Sequence, residues 1–514
     1  MIAAGAPAGA YPGRDTPGGA PFGWLRVRAG RGRPKGGGVA SASATGAEAG
    51  GAGFDAGIGG SGGSGAPGGP GGPGGPRAPG GPGAGAAGDV GGPAGAAAAL
   101  AGGSPARKLL PLVAPALIVG VGSSLLLILL SGIANRFQEL LWDHLPDWLG
   151  IGAYSSAWII IVLTAVGVAT GFVVWKVPGH AGPDPATTGL VDPPLAPGVL
   201  PSLALAAVLT LAGGVSLGPE NPIVAINIAL TCWLGGRWIA RVPTPVWLAL
   251  AVSGTVGALF GTPVAAALIM SEVLASRPAP GALWDKLFAP LVAACAGAMT
   301  MQLVSHPQFA MPLPPYDSVR WVDLLSAMVV ASVGAVAALA AVYLFPHLHR
   351  WFLVIPHPVP RLALGGLALG LLGVAGGKET LFKGLEQVRD LASHPDSYSA
   401  GRYAWMAVVK LAALAIASCA GFRGGRIFPA VFAGAALGFA AHALVDTVPV
   451  TLAVSCGVLG VLLAITRSGW ISLFTAAILG GGTALLPMLG VALLPAWLLV
   501  TGRPEMELPA EEAA

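Results

Sequence analysis

The feature that most restricts how this chain can fold is a series of apolar stretches that are short and repeatedly broken. From residue 197 onward they fall roughly at 197–212, 222–240, 244–260, 264–275, 286–304, 322–345, 361–376, 403–420, 428–446, 448–466, 470–486 and 488–500, with Gly and Pro interrupting them. Many are shorter than the ~20 residues a helix needs to cross a bilayer. Backbone that breaks at membrane depth must have its freed N–H and C=O groups satisfied, so it is confined to places buried in protein or lining a polar cavity. Transport proteins use such breaks to aim helix ends at an ion, whereas a plain structural bundle has no need of so many. Two earlier stretches read as full spans: Leu110 to Ile133, and Trp158 to Trp175 with tryptophans at interface-like positions. Composition agrees. Only 10% of the 514 residues are charged and 54% are hydrophobic, against about 25% charged in soluble chains. The fold class predicted is therefore an all-α polytopic membrane protein built of broken transmembrane helices.

One break carries an acid. Gly213-Gly214-Val215-Ser216-Leu217-Gly218-Pro219-Glu220-Asn221-Pro222 precedes the apolar run Ile223 to Leu234. A carboxylate at membrane depth is costly unless it faces a polar cavity, which makes Glu220 a candidate functional group. Pro222 suits a first helical turn, where its missing N–H would be unpaired anyway. The helix it opens would present free amides and a positive dipole end beside Glu220, which is a ready anion site. Two readings follow: an acid that competes with a permeating anion, or a kinked helix whose Glu pairs with an Arg or a backbone group. A second break, Gly421-Phe422-Arg423-Gly424-Gly425-Arg426-Ile427-Phe428-Pro429, occupies the corresponding place in the second apolar half, with Pro222 and Pro429 standing 207 residues apart (429 − 222). Paired Gly/Pro interruptions of this kind point to a transporter's binding site.

At these residues the sequence resembles the CLC family of chloride channels and proton/chloride antiporters, as a divergent prokaryotic-type member. Gly218-Pro219-Glu220-Asn221-Pro222 is similar to the family's G-K/R-E-G-P motif, with Pro219 at the basic position and Asn221 at the second Gly. Gly425-Arg426-Ile427-Phe428-Pro429 is similar to G-x-F-x-P, with Ile427 at the aromatic position and Gly424 beside it in the same break. Gly179-His180-Ala181-Gly182-Pro183 stands where G-S-G-I-P is expected. The resemblance implies an inverted repeat of tilted, broken helices over about 106–502 and a homodimer with one anion pathway per subunit. It makes Glu220 the gate and the amides near Gly425, Ile427 and Phe428 the anion holders, with chloride or another small monovalent anion as the permeant. His180 then falls at the family's anion-binding serine; it either touches the ion or caps the adjacent helix, leaving Thr187 or Thr188 nearer. Pro495-Ala496-Trp497 resembles the Pro-Leu-Tyr start of the last family helix, so Trp497 is either an anion donor through its indole N–H or an interface anchor. Glu272-Val273 resembles the Glu-Glu of the antiporters, where the second Glu relays protons. Val273 lacks that carboxyl, and Glu272 reads as structural or lining an inner portal.

That departure favours a glutamate-gated chloride channel. Proton-coupled exchange of chloride or fluoride, relayed by Glu272 or His180, is the alternative, and a non-transporting membrane scaffold is the alternative of another class. Residues 1–105, rich in Gly, Ala and Pro, hold too few large apolar side chains to offset the entropy of ordering and read as a disordered tail. Its Gly-Gly-Pro run is too short for collagen, and its basic patch (Arg26, Arg28, Arg31, Arg33, Lys35) would favour the cytoplasmic side, although a solvated tail is the plainer reading. A net charge of +4 with no aromatic-interleaved basic stripe argues against nucleic acid. Cys232, Cys295, Cys419 and Cys456 lack CxxC or metal spacing and read as small buried hydrophobes. No HExxH or Walker A occurs, and the GxSxG copies lack the strand–turn–helix a nucleophile elbow needs, so neither an enzyme nor a cofactor is expected. Residues 503–514 are expected to be a short C-terminal tail without a nucleotide-sensing CBS pair.

Overall fold

The prolines and glycines that punctuate the sequence become helix ends. The computed structural model describes residues 109–239, 242–275, 282–306, 309–316 and 319–509; the tail expected over 1–105 lies outside them. In the first half run α1 (Val113–Glu139), α2 (Ser156–Lys176), α3 (Leu200–Ala212), α4 (Glu220–Trp238), α5 (Thr244–Phe260), α6 (Pro263–Ala275) and α7 (Leu283–Val304). The second half follows as α8 (Trp321–Leu353), α9 (Pro358–Gly376), α10 (Leu385–Ser393), α11 (Ala400–Ala420), α12 (Ile427–Leu444), α13 (Val450–Thr466), α14 (Gly469–Leu479) and α15 (Leu486–Val500). Eight helical segments among the described residues are long and apolar enough to cross a membrane, while α5, α6, α13 and α14 are apolar but shorter. This is a multi-pass integral membrane protein, as its hydropathy predicts.

Among the short helices, α13 is buried on all sides. Every residue of α13 from Val450 to Ile465 is buried, which is how a helix that is apolar all round must sit. It packs against α12 and α8 through glycines that let backbones touch. A Cβ on Gly457 would strike the Gly434 carbonyl of α12, and one on Gly460 would strike the Ala331 carbonyl of α8. Gly460→Val is therefore expected to lower stability by about 1–3 kcal/mol or more, since overpacking here displaces backbone. Gly490→Ala in α15, where added carbon meets nothing, should leave the melting temperature in detergent within a degree or two, as an unclashing helical position allows. Equal melting of the two variants would contradict this account of the α8–α13 crossing.

The halves are related as inverted repeats. Glu220 and Ile427, which open α4 and α12, are 207 residues apart. The helices after them begin at matching places, α5 and α6 at Thr244 and Pro263, α13 and α14 at Val450 and Gly469. Between the halves Gly218 and Gly425 form an antiparallel bridge, with Gly218 N–H donating to Gly425 O at 2.8 Å and Gly425 N–H to Gly218 O at 2.7 Å. Two equivalent residues that exchange both bonds with each other lie on a pseudo-two-fold axis. The two breaks thus meet on that axis.

Candidate functional site

Each break delivers a helix N-terminus to this junction. Pro222 and Pro429 both occupy the third position of their helices and are buried there, where proline is tolerated because first-turn amides are unpaired by their own helix. The unpaired amides need acceptors, and Glu220 supplies one across the axis. Ile427 N–H donates to Glu220 Oε1 at 2.6 Å, and Phe428 N–H donates to the same oxygen at 3.3 Å. Glu220 is 2% exposed, and its Oε2 has no hydrogen-bond partner among the described residues. Glycine makes room for it: a Cβ on Gly218 would collide with Glu220 Oε2, and one on Gly425 with its carboxyl carbon. Gly424 is restricted too, because a Cβ there would meet Leu217 and the Gly218 carbonyl. A carboxylate held by two helix-terminal amides stands where a small anion would be held by the same donors.

Two cavities reach the residues on either side of Glu220. Pro219, before Glu220, lines one of about 30 Å³ with Phe382, Glu386 and Gln387. Asn221, after it, lines another of about 50 Å³ with Thr188, Asp192, Arg423 and Gly424. The second is walled by the loop between α2 and α3, which is strapped to both breaks. Asn221 Nδ2 donates to Gly189 O at 3.1 Å. Arg426 Nη2 donates to Pro185 O at 2.6 Å and Thr188 O at 3.2 Å, and Arg423 Nη2 donates to His180 O and Gly182 O at 3.3 and 3.1 Å. Both guanidiniums are buried, and Arg426 is the residue immediately before the two amides that hold Glu220. Arg426 is also the pseudo-symmetric counterpart of Pro219: each caps its helix, with Ile223 N–H bonded to Pro219 O and Ala430 N–H to Arg426 O. The basic residue expected at the first motif's second position is thus present in the second motif.

Lys410 supports the opposite wall and was passed over in the sequence reading. This α11 residue is 0% exposed, and its Nζ donates to the carbonyls of Thr380, Leu381 and Phe382 at 2.9, 3.1 and 2.6 Å. Phe382 sits at φ 57°, a conformation that non-glycine residues rarely keep without such support. The same segment holds the loop leading to Glu220, since Phe382 N–H donates to Gly214 O at 3.0 Å and Ser216 Oγ to Thr380 O at 3.1 Å. A lone lysine inside the apolar run 403–420 was the available signal.

The structure brings together Gly218, Pro219, Glu220, Asn221, Pro222, Gly424, Gly425, Ile427, Phe428 and Pro429 from the predicted set. It places the other candidates elsewhere. His180 is exposed, with its Nδ1 2.8 Å from Val174 O, so the backbone carbonyl of this residue, rather than its ring, serves the site through Arg423. Trp497 does not open the last helix: it lies in the final turn of α15, three residues before its end at Val500, is 39% exposed, and its carbonyl accepts from Thr501 N–H. The proline–aromatic match misjudged the register because α15 begins at Leu486. Glu272 accepts from Ser468 Oγ at 2.6 Å, the hydroxyl that caps α14, and Val273 packs against the main core. Glu272 thereby ties α6 to α14.

Comparison with known proteins agrees with this architecture. A family profile described as voltage gated chloride channel matches residues 166–500. Relatives named "Putative ion-transport protein YfeO" from Salmonella newport and Salmonella agona are each 50% identical over 400 residues, covering 78% of this chain and 97% of theirs. Among solved structures, a CLC-type fluoride/proton antiporter superposes with a TM-score of 0.62 at 20% identity, covering 77% of this chain and 96% of its own. A slow cyanobacterial Cl−/H+ antiporter superposes with a TM-score of 0.65 at 15% identity, with the same coverage. With a profile spanning most of the chain and relatives at half identity over nearly their whole length, this protein belongs to the voltage-gated chloride channel (CLC) family.

Proposed function

We propose that this protein is a chloride channel gated by Glu220, working as a homodimer with one anion pathway per subunit. The observation that carries the reading is the bond from Ile427 N–H, joined by Phe428 N–H, to one oxygen of Glu220. The carboxylate and a chloride ion are alternative ligands of those amides. The residues flanking Glu220 line separate cavities, so the side chain stands between two vestibules. Protonation removes its charge, weakens its hold on the amides, and lets it swing aside for an incoming anion. Val273 offers no carboxyl for an inward proton relay, and Glu272 is engaged by Ser468.

A second reading, proton-coupled exchange of chloride or fluoride, is favoured by one finding: both solved structures compared above are described as proton antiporters. Efflux of chloride from proteoliposomes, recorded together with proton movement, separates the two. A channel discharges chloride without moving protons uphill. Uphill proton uptake driven by a chloride gradient would refute the channel reading, and fluoride efflux exceeding chloride efflux would refute the assignment of the permeant.

A further inference from the structure

The chain does not trail away after α15. Arg503 N–H bonds back to Val500 O, Arg467 Nη2 donates to Pro504 O at 2.9 Å, Met506 N–H donates to Ile465 O at 3.3 Å, and Leu508 N–H donates to Ala186 O at 2.9 Å. Met506 is 0% exposed and Leu508 6%. Alternate residues thus point inward, as in an extended strand, and the segment is laid across the end of α13 and the loop between α2 and α3. Docking it there orders about six residues, each at a backbone entropy of roughly 1–2 kcal/mol, and the two buried side chains and the hydrogen bonds are what offset this. Sequence reading gave this segment no role.

Between Met506 and Leu508 lies Glu507. It is half-buried, and its Oε2 comes so close to Gly189 that a Cβ there would sit 3.0 Å away. Gly189 is the residue whose carbonyl receives Asn221 and whose neighbour Thr188 receives Arg426. The carboxylate is therefore placed on the strap that joins the second cavity to both helix breaks. The charged groups facing it are Arg426 from the start of α12, Asp192 from the strap, and Glu505 from its own segment. Arg426 acts on the Glu220 carboxylate as well. Burial pushes the Glu507 carboxyl up to about 7, Arg426 opposes the rise, and Glu505 and Asp192 add to it.

We propose that Glu507 is a second acid of the anion pathway, carried on the C-terminal segment, which from behind the Gly189 strap offsets the charge that Arg426 offers to an anion in the second cavity and ceases to do so when protonated. A buried guanidinium beside a helix N-terminus attracts any anion that reaches it, and a carboxylate anchored on the adjacent strap is a resident competitor. Arg426 stands behind the strap, bonded to Pro185 and Thr188, which line the second cavity; once Glu507 is neutral, the guanidinium charge reaches an anion in that cavity without an opposing acid. Asp192 does not replace it, because its Oδ2 already accepts from Gly189 N–H at 3.1 Å. The inference rests on the anion-pathway reading above.

Chloride efflux from proteoliposomes between pH 5.5 and pH 8 tests it. In the Glu220→Gln protein, where Glu507 alone titrates near 7, efflux should fall roughly tenfold per pH unit at the alkaline end. Glu507→Gln should hold efflux at pH 8 within about twofold of its value at pH 5.5 once Glu220→Gln has removed the other acid, whereas Glu220→Gln alone keeps the limb near 7. Glu507→Asp keeps a carboxyl and should keep a displaced limb, so it serves if the Gln variant does not fold. Glu505→Gln, at an exposed neighbour that adds to the rise of the Glu507 carboxyl, should move the limb toward lower pH without removing it. Efflux from wild type, with an unchanged limb when Glu507→Gln or Glu507→Asp is added to Glu220→Gln, overturns this inference alone. No efflux of chloride, fluoride or nitrate from folded wild type overturns the anion-pathway reading and this inference with it.

Discussion

Glu220→Gln should convert a chloride efflux that rises with acidity into one that is high across the pH range, apart from the limb near 7 assigned to Glu507. In the wild type the Ile427 and Phe428 amides hold a carboxylate oxygen, and charge-assisted bonds of this kind are about twice as strong as neutral ones. A glutamine keeps the length and one carbonyl oxygen but presents no charge, and its amide group cannot donate to N–H donors. The side chain then competes poorly with chloride. If the difference is about 1.4 kcal/mol, the occupied and vacated states shift tenfold, so efflux at pH 7.5 should rise by about that factor. The variant also separates gating from folding, because Glu220 Oε2 has no partner to lose. Unchanged efflux and unchanged pH dependence in a folded Glu220→Gln protein would remove Glu220 from the gate.

Arg426→Gln is expected to have the opposite effect, lowering efflux at every pH. Its guanidinium is buried and is the positive group nearest in sequence to the amides that hold Glu220, and it lies near Glu507 and Asp192 besides. A charge of this kind in a low-dielectric setting contributes on the order of 1–3 kcal/mol to an anion nearby, which corresponds to roughly ten- to a hundredfold in occupancy. Arg426→Lys supplies the control. Lysine keeps the charge but loses the fork that reaches Pro185 O and Thr188 O together. Chloride binding followed by calorimetry in detergent should be retained largely in the Lys variant and lost in the Gln variant. Loss in both would assign Arg426 to holding the strap, and loss in neither would exclude its charge from the site.

Much of the fold was legible in the sequence because membrane depth leaves few options for a broken apolar run. Glycine and proline at 213–222 and 421–429 announced two helix starts, and the structure places Glu220 from one against the amides of the other. What the sequence did not disclose depends on contacts across long separations. Lys410 looks like any lone lysine until Thr380, Leu381 and Phe382 are seen to surround it. His180 matched a motif position, yet the turn it occupies at φ 50° directs its carbonyl to Arg423 and its ring to Val174. Trp497 followed a proline in a familiar pattern, but helix register placed it at the wrong end. The residues after Gly502 were read as a tail because a six-residue extended segment has no periodicity long enough to announce itself.

The bridge between Gly218 and Gly425 has a consequence for the speed of transport. Rocking-bundle carriers move one half of the molecule past the other about a substrate fixed between them, on microsecond to millisecond timescales. Here the seam between the halves is sewn beside Glu220, by two short bonds between the glycines that also make room for its carboxylate. A rigid-body swing of the halves would have to tear that seam on every turnover. Rotation of one glutamate side chain leaves it intact and is a rearrangement of the kind that takes nanoseconds or less when unhindered. With Glu220 as the proposed gate, the frame can therefore stay still while an ion passes, and opening is set by how often that carboxylate is protonated.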